Sequence, residues 1–196
     1  MSNEHTIEAV DDDFLEIFEY KDCINFNEKL YPIAVEWSNT KQDYRLYDPE
    51  YLTTRPTSFD MNFSWVSEHN IHELELFYPL RDFILEVVEQ RLDKELKFHS
   101  MWLIIGTKGY WGKTHYHRGY IVGMYYISNG HDDEEEITGT INHYKSDGEI
   151  VTEPKAGQLY LASSNLSHSI NEYTGDKHRI CVGFNLELKR ELKNAK

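Results

Sequence analysis

Cysteine is scarce in this chain: only Cys23 and Cys181 occur in 196 residues. Two thiols so far apart in sequence exclude a disulfide-stapled scaffold and fit a reducing, cytoplasmic compartment. Positive charge is scarce too, with 20 Lys and Arg against 34 Asp and Glu, a formal net charge of −14. A chain of that sign has no surplus of cations for a phosphate backbone, which argues against nucleic acid as a partner. It leaves a basic peptide, a protein or a small molecule open as substrate. Long hydrophobic runs are missing, so no membrane span is expected. The acidic opening MSNEHTIEAVDDDF lacks the basic and apolar regions of a secretory signal. No internal repeat or low-complexity linker breaks the chain. What is present is 40% apolar and 14% aromatic residues, the composition of a folded protein, and the expectation is one domain over 1–196.

Periodicity divides that domain into a mixed region, 1–97, and a strand-rich core, 98–188. Phe14–Tyr20 alternates apolar and acidic residues as a half-buried strand does. Leu30, Ile33, Ala34 and Trp37 follow helical spacing within Phe26–Trp37, which places Pro32 in the first helical turn. Tyr44–Ser64 reads as loop. Pro79 opens a second helix whose apolar stripe is Leu80, Phe83, Ile84, Val87, Val88 and Leu92. From Ser100 onward short strands follow at close intervals: 100–105, 114–117, 120–127, 138–143, 158–162, 167–170 and 179–188. The charged run His131–Glu136 reads as a hairpin tip. Helices first and strands afterwards predict an α+β arrangement, with helices on one face of an antiparallel double sheet forming a sandwich or barrel.

Three histidines stand out. His115 and His117 flank Tyr116, and in an extended strand both imidazoles point to one side, already aimed at a divalent transition metal. His168, in SSNLSHSI, is the best third ligand. A lone His-x-His pair is as readily a pair of hydrogen-bonded polar residues, and the rest of the chain tips the balance. Along the final strand Arg179, Cys181, Gly183 and Asn185 share one face, while Ile180, Val182, Phe184 and Leu186 share the other. A buried arginine keeps its charge and needs an anion, supplied by the protein or by a ligand. Tyr110 and Trp111 are candidates for a pocket mouth, or ordinary hairpin aromatics. Asn142 and His143 lie on a strand whose facing is open.

Taken in order, His115-x-His117, GMYYIS, PKAGQLYL, SNLSH and HRICVGFN resemble the 2-oxoglutarate and iron(II)-dependent oxygenases over roughly Phe98–Leu188. The nearest likeness is to their small bacterial and phage-type group, with prolyl hydroxylases as more distant relatives. The resemblance implies a double-stranded β-helix (a jelly-roll, cupin-like barrel) with N-terminal helices packed on one sheet. It implies Fe(II) and 2-oxoglutarate, and hydroxylation of an unidentified substrate with oxidative decarboxylation of 2-oxoglutarate to succinate and CO2. Position by position, His115 and His168 match iron ligands, and Arg179 matches the arginine that pairs with the remote carboxylate of 2-oxoglutarate. Tyr126 falls where a cosubstrate-binding tyrosine stands, and Cys181 where many relatives carry an assisting serine. His117 departs from the pattern, since most relatives have Asp or Glu there. Either three imidazoles hold the metal, or an acid from Asp132–Glu136 joins. Two alternatives stay open: a three-histidine cupin-type enzyme or sensor that does not use 2-oxoglutarate, and a non-catalytic binding module. Edge strands of such a barrel also offer a route to a homodimer.

Overall fold

Alternation along the last strand sets the layers of the molecule. In the computed structural model, which describes residues 10–41, 64–132 and 136–189, Arg179–Leu188 (β10) lies between Leu96–Gly106 (β3) and Ile121–Ser128 (β5), antiparallel to both. Leu15–Glu19 (β1), Ser64–Val66 (β2) and Gln158–Ser163 (β8) complete a sheet in the order β1-β8-β5-β10-β3-β2. A smaller antiparallel sheet runs Gly112–His115 (β4), Ser167–Ile170 (β9), Ile141–Lys145 (β6) and Gly148–Thr152 (β7).

Because side chains alternate, every second residue of β10 faces outward. There Ile180, Val182, Phe184 and Leu186 are fully buried beneath two helices, Cys23–Thr40 (α1) and Tyr78–Leu92 (α2). The helices supply Phe26, Leu30 and Ala34 from one stripe and Leu80, Ile84 and Val88 from the other, residues about four apart on one face. Asn27 ties α1 to the sheet: its Oδ1 accepts from the Tyr125 hydroxyl at 2.7 Å. The opposite, inward face of the large sheet meets the small one. A second cluster there combines Ile104, Tyr126, Tyr160 and Cys181 with Ile141 and Ile170 of the small sheet. Two facing antiparallel sheets with helices covering one of them is the expected α+β, jelly-roll arrangement. Among the described residues no helix is long and apolar enough to cross a membrane.

Several local expectations are corrected. Pro32 lies well inside α1 rather than in its first turn, because the helix begins at Cys23. Packing of its apolar stripe outweighs the missing N–H. α2 begins beside Pro79 as expected and stops at Asp93, which takes the left-handed conformation (φ 50°) and donates its N–H to the Glu89 carbonyl. β4 ends at His115, not at His117. β7 was not expected, since its exposed Gly148-Glu149-Ile150-Val151 carries no clean alternation. The loop expected over 44–64 and the centre of the tip at 131–136 fall mostly outside the described residues.

Candidate active site

His115 and His168 are direct cross-strand partners in the β4–β9 pair, so their side chains stand side by side on the inward face. Their ring centroids are 4.4 Å apart. His117 lies beyond the end of β4, and its position comes from the turn after β8. The His117 N–H donates to the Ser164 carbonyl (3.1 Å), and the Ser164 hydroxyl donates to the Gly119 carbonyl (2.8 Å). So held, the His117 ring sits 5.0 Å from that of His115 and 5.2 Å from that of His168. One nitrogen from each ring lies within 4.8 Å of the other two, near enough for small ring rotations to bring all three to about 2.1 Å from one ion.

Tautomers favour that use. His115 Nδ1 is 2.7 Å from the Lys113 carbonyl and His168 Nδ1 is 3.3 Å from the Leu166 carbonyl. A carbonyl only accepts, so both Nδ1 atoms carry the proton and both Nε2 atoms are in the unprotonated form that can ligate a metal. Among the described residues no carboxylate joins the trio; Asp132 is exposed and paired with Lys177. Three neutral ligands leave the charge of a divalent ion uncompensated, which favours an anionic ligand on its open positions.

Arg179 occupies the deep end of the same inward face and is fully buried. Its Nη2 donates to the Tyr126 hydroxyl (2.7 Å) and its Nη1 lies 3.8 Å from Cys181 Sγ. Its guanidinium stands 5.0 Å from the Tyr126 ring centre and 5.5 Å from that of Tyr110. Among the described residues Nε has no hydrogen-bond partner, and no carboxylate forms an ion pair with the group. Burial works against the guanidinium charge, while the surrounding Tyr126, Cys181 and Tyr110 raise its pKa above the ordinary value. Burial also pushes up the pKa values of the Tyr126 phenol and Cys181 thiol, so both act as neutral partners at pH 7. Gly139, in a left-handed conformation (φ 68°), passes so close that a Cβ there would sit 3.2 Å from Arg179 Nε. A buried cation without a counter-charge is costly, and a carboxylate from outside the chain would relieve that cost.

Between the two ends lie residues of the second core cluster. Ile170 lies two residues after His168 and Ile141 two residues before His143, on the same face, and Cys181 and Tyr126 touch Arg179. A neutral imidazole trio at one end and, at the other, a guanidinium without an ion pair among the described residues suit a dicarboxylate with a chelating keto-acid head. The residues present fit both Fe(II) and 2-oxoglutarate.

The candidates from sequence therefore come together: His115, His117 and His168 at one end, Arg179, Tyr126 and Cys181 at the other. Tyr110 does not form a mouth. It is buried against Arg179, while Trp111 lines a groove on the outer face of the small sheet with Asn142, Tyr144 and Ser169. Sequence reasoning passed over Trp102. Its ring covers Gly183, where a Cβ would be only 2.8 Å away, and lies 6.1 Å from the His117 ring and 5.2 Å from that of His69. It also left open His143, which pairs across β6–β9 with His168 and so shares its inward face. Burial pulls the pKa of His143 down to about 4, with His168 adding to the effect, and keeps it neutral at pH 7.

Residues 100–185 match the family described as "Putative 2OG-Fe(II) oxygenase". Among solved structures, a Pseudomonas putida prolyl-4-hydroxylase is similar at TM-score 0.66 and 11% identity, covering 91% of this chain and 94% of that one. The viral collagen prolyl hydroxylase of Paramecium Bursaria Chlorella virus-1, solved with 2OG, is similar at TM-score 0.60 and 13% identity, covering 90% and 97%. HygX from Streptomyces hygroscopicus, solved with nickel and 2-oxoglutarate, is similar at TM-score 0.63 and 11% identity, covering 91% and 84%. These likenesses establish the double-stranded β-helix fold. No match was found among curated proteins.

Proposed function

We propose that this 2-oxoglutarate and Fe(II)-dependent oxygenase uses His115, His117 and His168 as its complete protein ligand set and Arg179 as its cosubstrate anchor. Its reaction, on this reading, is hydroxylation of a C–H bond in an as yet unidentified small molecule or peptide. The observation that carries the reading is the pairing of an all-imidazole trio with a fully buried arginine that, among the described residues, has no carboxylate partner. Bound Fe(II) would supply the activation of dioxygen coupled to decarboxylation of 2-oxoglutarate, one oxygen atom entering succinate and the other the substrate.

The chain's own groups do the rest. Arg179 receives the remote carboxylate through a charge-assisted pair, with Tyr126 and Cys181 fixing the guanidinium plane. Proton placement on the Nδ1 atoms of His115 and His168 keeps their Nε2 atoms unprotonated. Ile141 and Ile170 place apolar surface between the two ends, which would exclude water and strengthen the charge pairing. Trp102, beside His117, walls the side on which a substrate reaches the metal. We further propose a single domain over 1–196 acting in the cytoplasm, where two separate thiols stay reduced, with a homodimer formed through sheet edges.

Incubation of the purified protein with Fe(II), 2-oxoglutarate and oxygen should release succinate, slowly even without substrate. Chelation should stop the release, and His168→Ala and Arg179→Gln should lower it at least tenfold. Metal binding with no consumption of 2-oxoglutarate would instead favour a three-histidine enzyme or sensor of the cupin type.

A further inference from the structure

A fourth histidine stands beside the trio. Strand pairing places His115, His168 and His143 in one row across β4, β9 and β6, each directly opposite the next. Directly paired residues in an antiparallel sheet project to the same side, so His143 faces inward with the two ligands. Its ring centre is 6.2 Å from that of His168. It is only 5% exposed, one ring nitrogen is held and the other is not: Nε2 is 3.1 Å from the Thr152 hydroxyl oxygen, while Nδ1 has no partner. A buried imidazole nitrogen left unpaired costs stability comparable to a lost hydrogen bond. The Thr152 hydroxyl has one proton: given to the Ile141 carbonyl (3.5 Å) it accepts from Nε2–H, and turned to Nε2 it leaves the imidazole proton on Nδ1.

Position separates His143 from the metal ligands. The three ligating nitrogens group together without it, and His143 lies one strand further from His115. The two residues below it and below His168 are Ile141 and Ile170, themselves a register pair in the cluster that leads to Arg179. A chain-like dicarboxylate running from the trio to Arg179 therefore passes over that isoleucine pair, with its metal-chelating head beside His143.

We propose that His143 is a cosubstrate-binding residue. Its Nδ1–H, with Thr152 donating to Nε2, hydrogen-bonds the keto-acid end of 2-oxoglutarate, so that the chain grips the molecule at both ends. This rests on the function proposed above. It assigns to β6 a role in cosubstrate selection: Arg179 reads a remote carboxylate that many dicarboxylates share, and His143 reads the 2-keto acid.

Calorimetric titration of the Fe(II) protein under anaerobic conditions, with 2-oxoglutarate and separately with succinate, tests the assignment. Succinate has the remote carboxylate but no keto-acid head. His143→Leu should bind 2-oxoglutarate about tenfold more weakly, bind succinate as wild type does, and retain Fe(II) unchanged. His143→Gln, which keeps a donor, should recover much of the loss. Arg179→Gln should weaken both ligands alike. Unchanged 2-oxoglutarate affinity in a folded His143→Leu protein overturns the proposal. So does a parallel loss of succinate binding, and so does a fall in Fe(II) affinity, which would make His143 a ligand. Failure of the wild-type protein to bind 2-oxoglutarate at all would instead strike the function on which the proposal rests.

Discussion

The two faces of β10 differ as sharply as any two regions of the molecule. On one, Ile180, Val182, Phe184 and Leu186 are sealed under the helices. On the other, Arg179, Cys181, Gly183 and Asn185 carry a buried charge, a thiol, a bare backbone and an amide with an unpaired oxygen. Both faces are equally far from solvent along much of the strand, so burial alone does not separate packing from function. What separates them is satisfaction. Among the described residues, the outward face leaves no polar side-chain atom wanting, and the inward face leaves Arg179 Nε and Asn185 Oδ1 without partners. A ligand that completes them is one reason such unsatisfied groups persist.

Removing the inward charge should break the contrast most visibly. Arg179→Gln is expected to weaken 2-oxoglutarate binding by a hundredfold or more, with the melting temperature unchanged or raised, because an uncompensated buried cation has been removed. Binding titration alongside thermal unfolding checks both halves. The outward face should give the mirror image. Phe184→Ala, fully buried in the helix-facing core, should cost about 3–5 kcal/mol of stability. At temperatures where that variant stays folded, its 2-oxoglutarate affinity should match wild type.

A smaller effect is expected at alkaline pH. Burial lifts the Tyr160 pKa to about 12 from an ordinary value of 10.0. The unfolded chain therefore loses this proton first, and stability is complete below pH 10 and falls as pH rises from 10 toward 12. Its full size is on the order of 2–3 kcal/mol. Tyr160→Phe should flatten that part of the pH–stability curve in denaturant titrations, although it also removes the hydroxyl bond to the Glu153 carbonyl.

The smallest effect belongs to the surface. Arg91 of α2 pairs with Glu16 of β1 and holds the Glu16 carboxyl below its usual range. A depressed carboxyl stabilises above its unfolded pKa and loses that contribution as pH falls through the folded value. Arg91→Ala should thus change melting only slightly at neutral pH, by an amount that vanishes in acid and in high salt.

The strand pattern was readable because hydrophobic alternation is local. β9 and β10 run over the expected residues, and the inward and outward sets of β10 are those that its alternation separates. The helical stripes and the α+β layering follow from the same periodicity. What the sequence could not carry is whatever depends on a partner far along the chain. His117 is aimed by the Ser164 carbonyl rather than by a strand. Tyr110 turns inward to stack near Arg179. The facing of His143 is decided by its register with His168, a fact of pairing between two strands. Pro32 sits mid-helix because tertiary packing outweighs a local breaker. The edge strand β7, solvated on both sides, leaves little hydrophobic trace.

The central claim is that one slot holds a metal at His115, His117 and His168 and a dicarboxylate at Arg179. Anaerobic addition of 2-oxoglutarate to the Fe(II) protein, followed in the visible spectrum, tests it most directly. A weak metal-to-ligand charge-transfer band should appear and saturate with one equivalent, be lost in His168→Ala, and demand far more 2-oxoglutarate in Arg179→Gln. A wild-type protein that gives no band, or variants whose bands equal it, would contradict the claim.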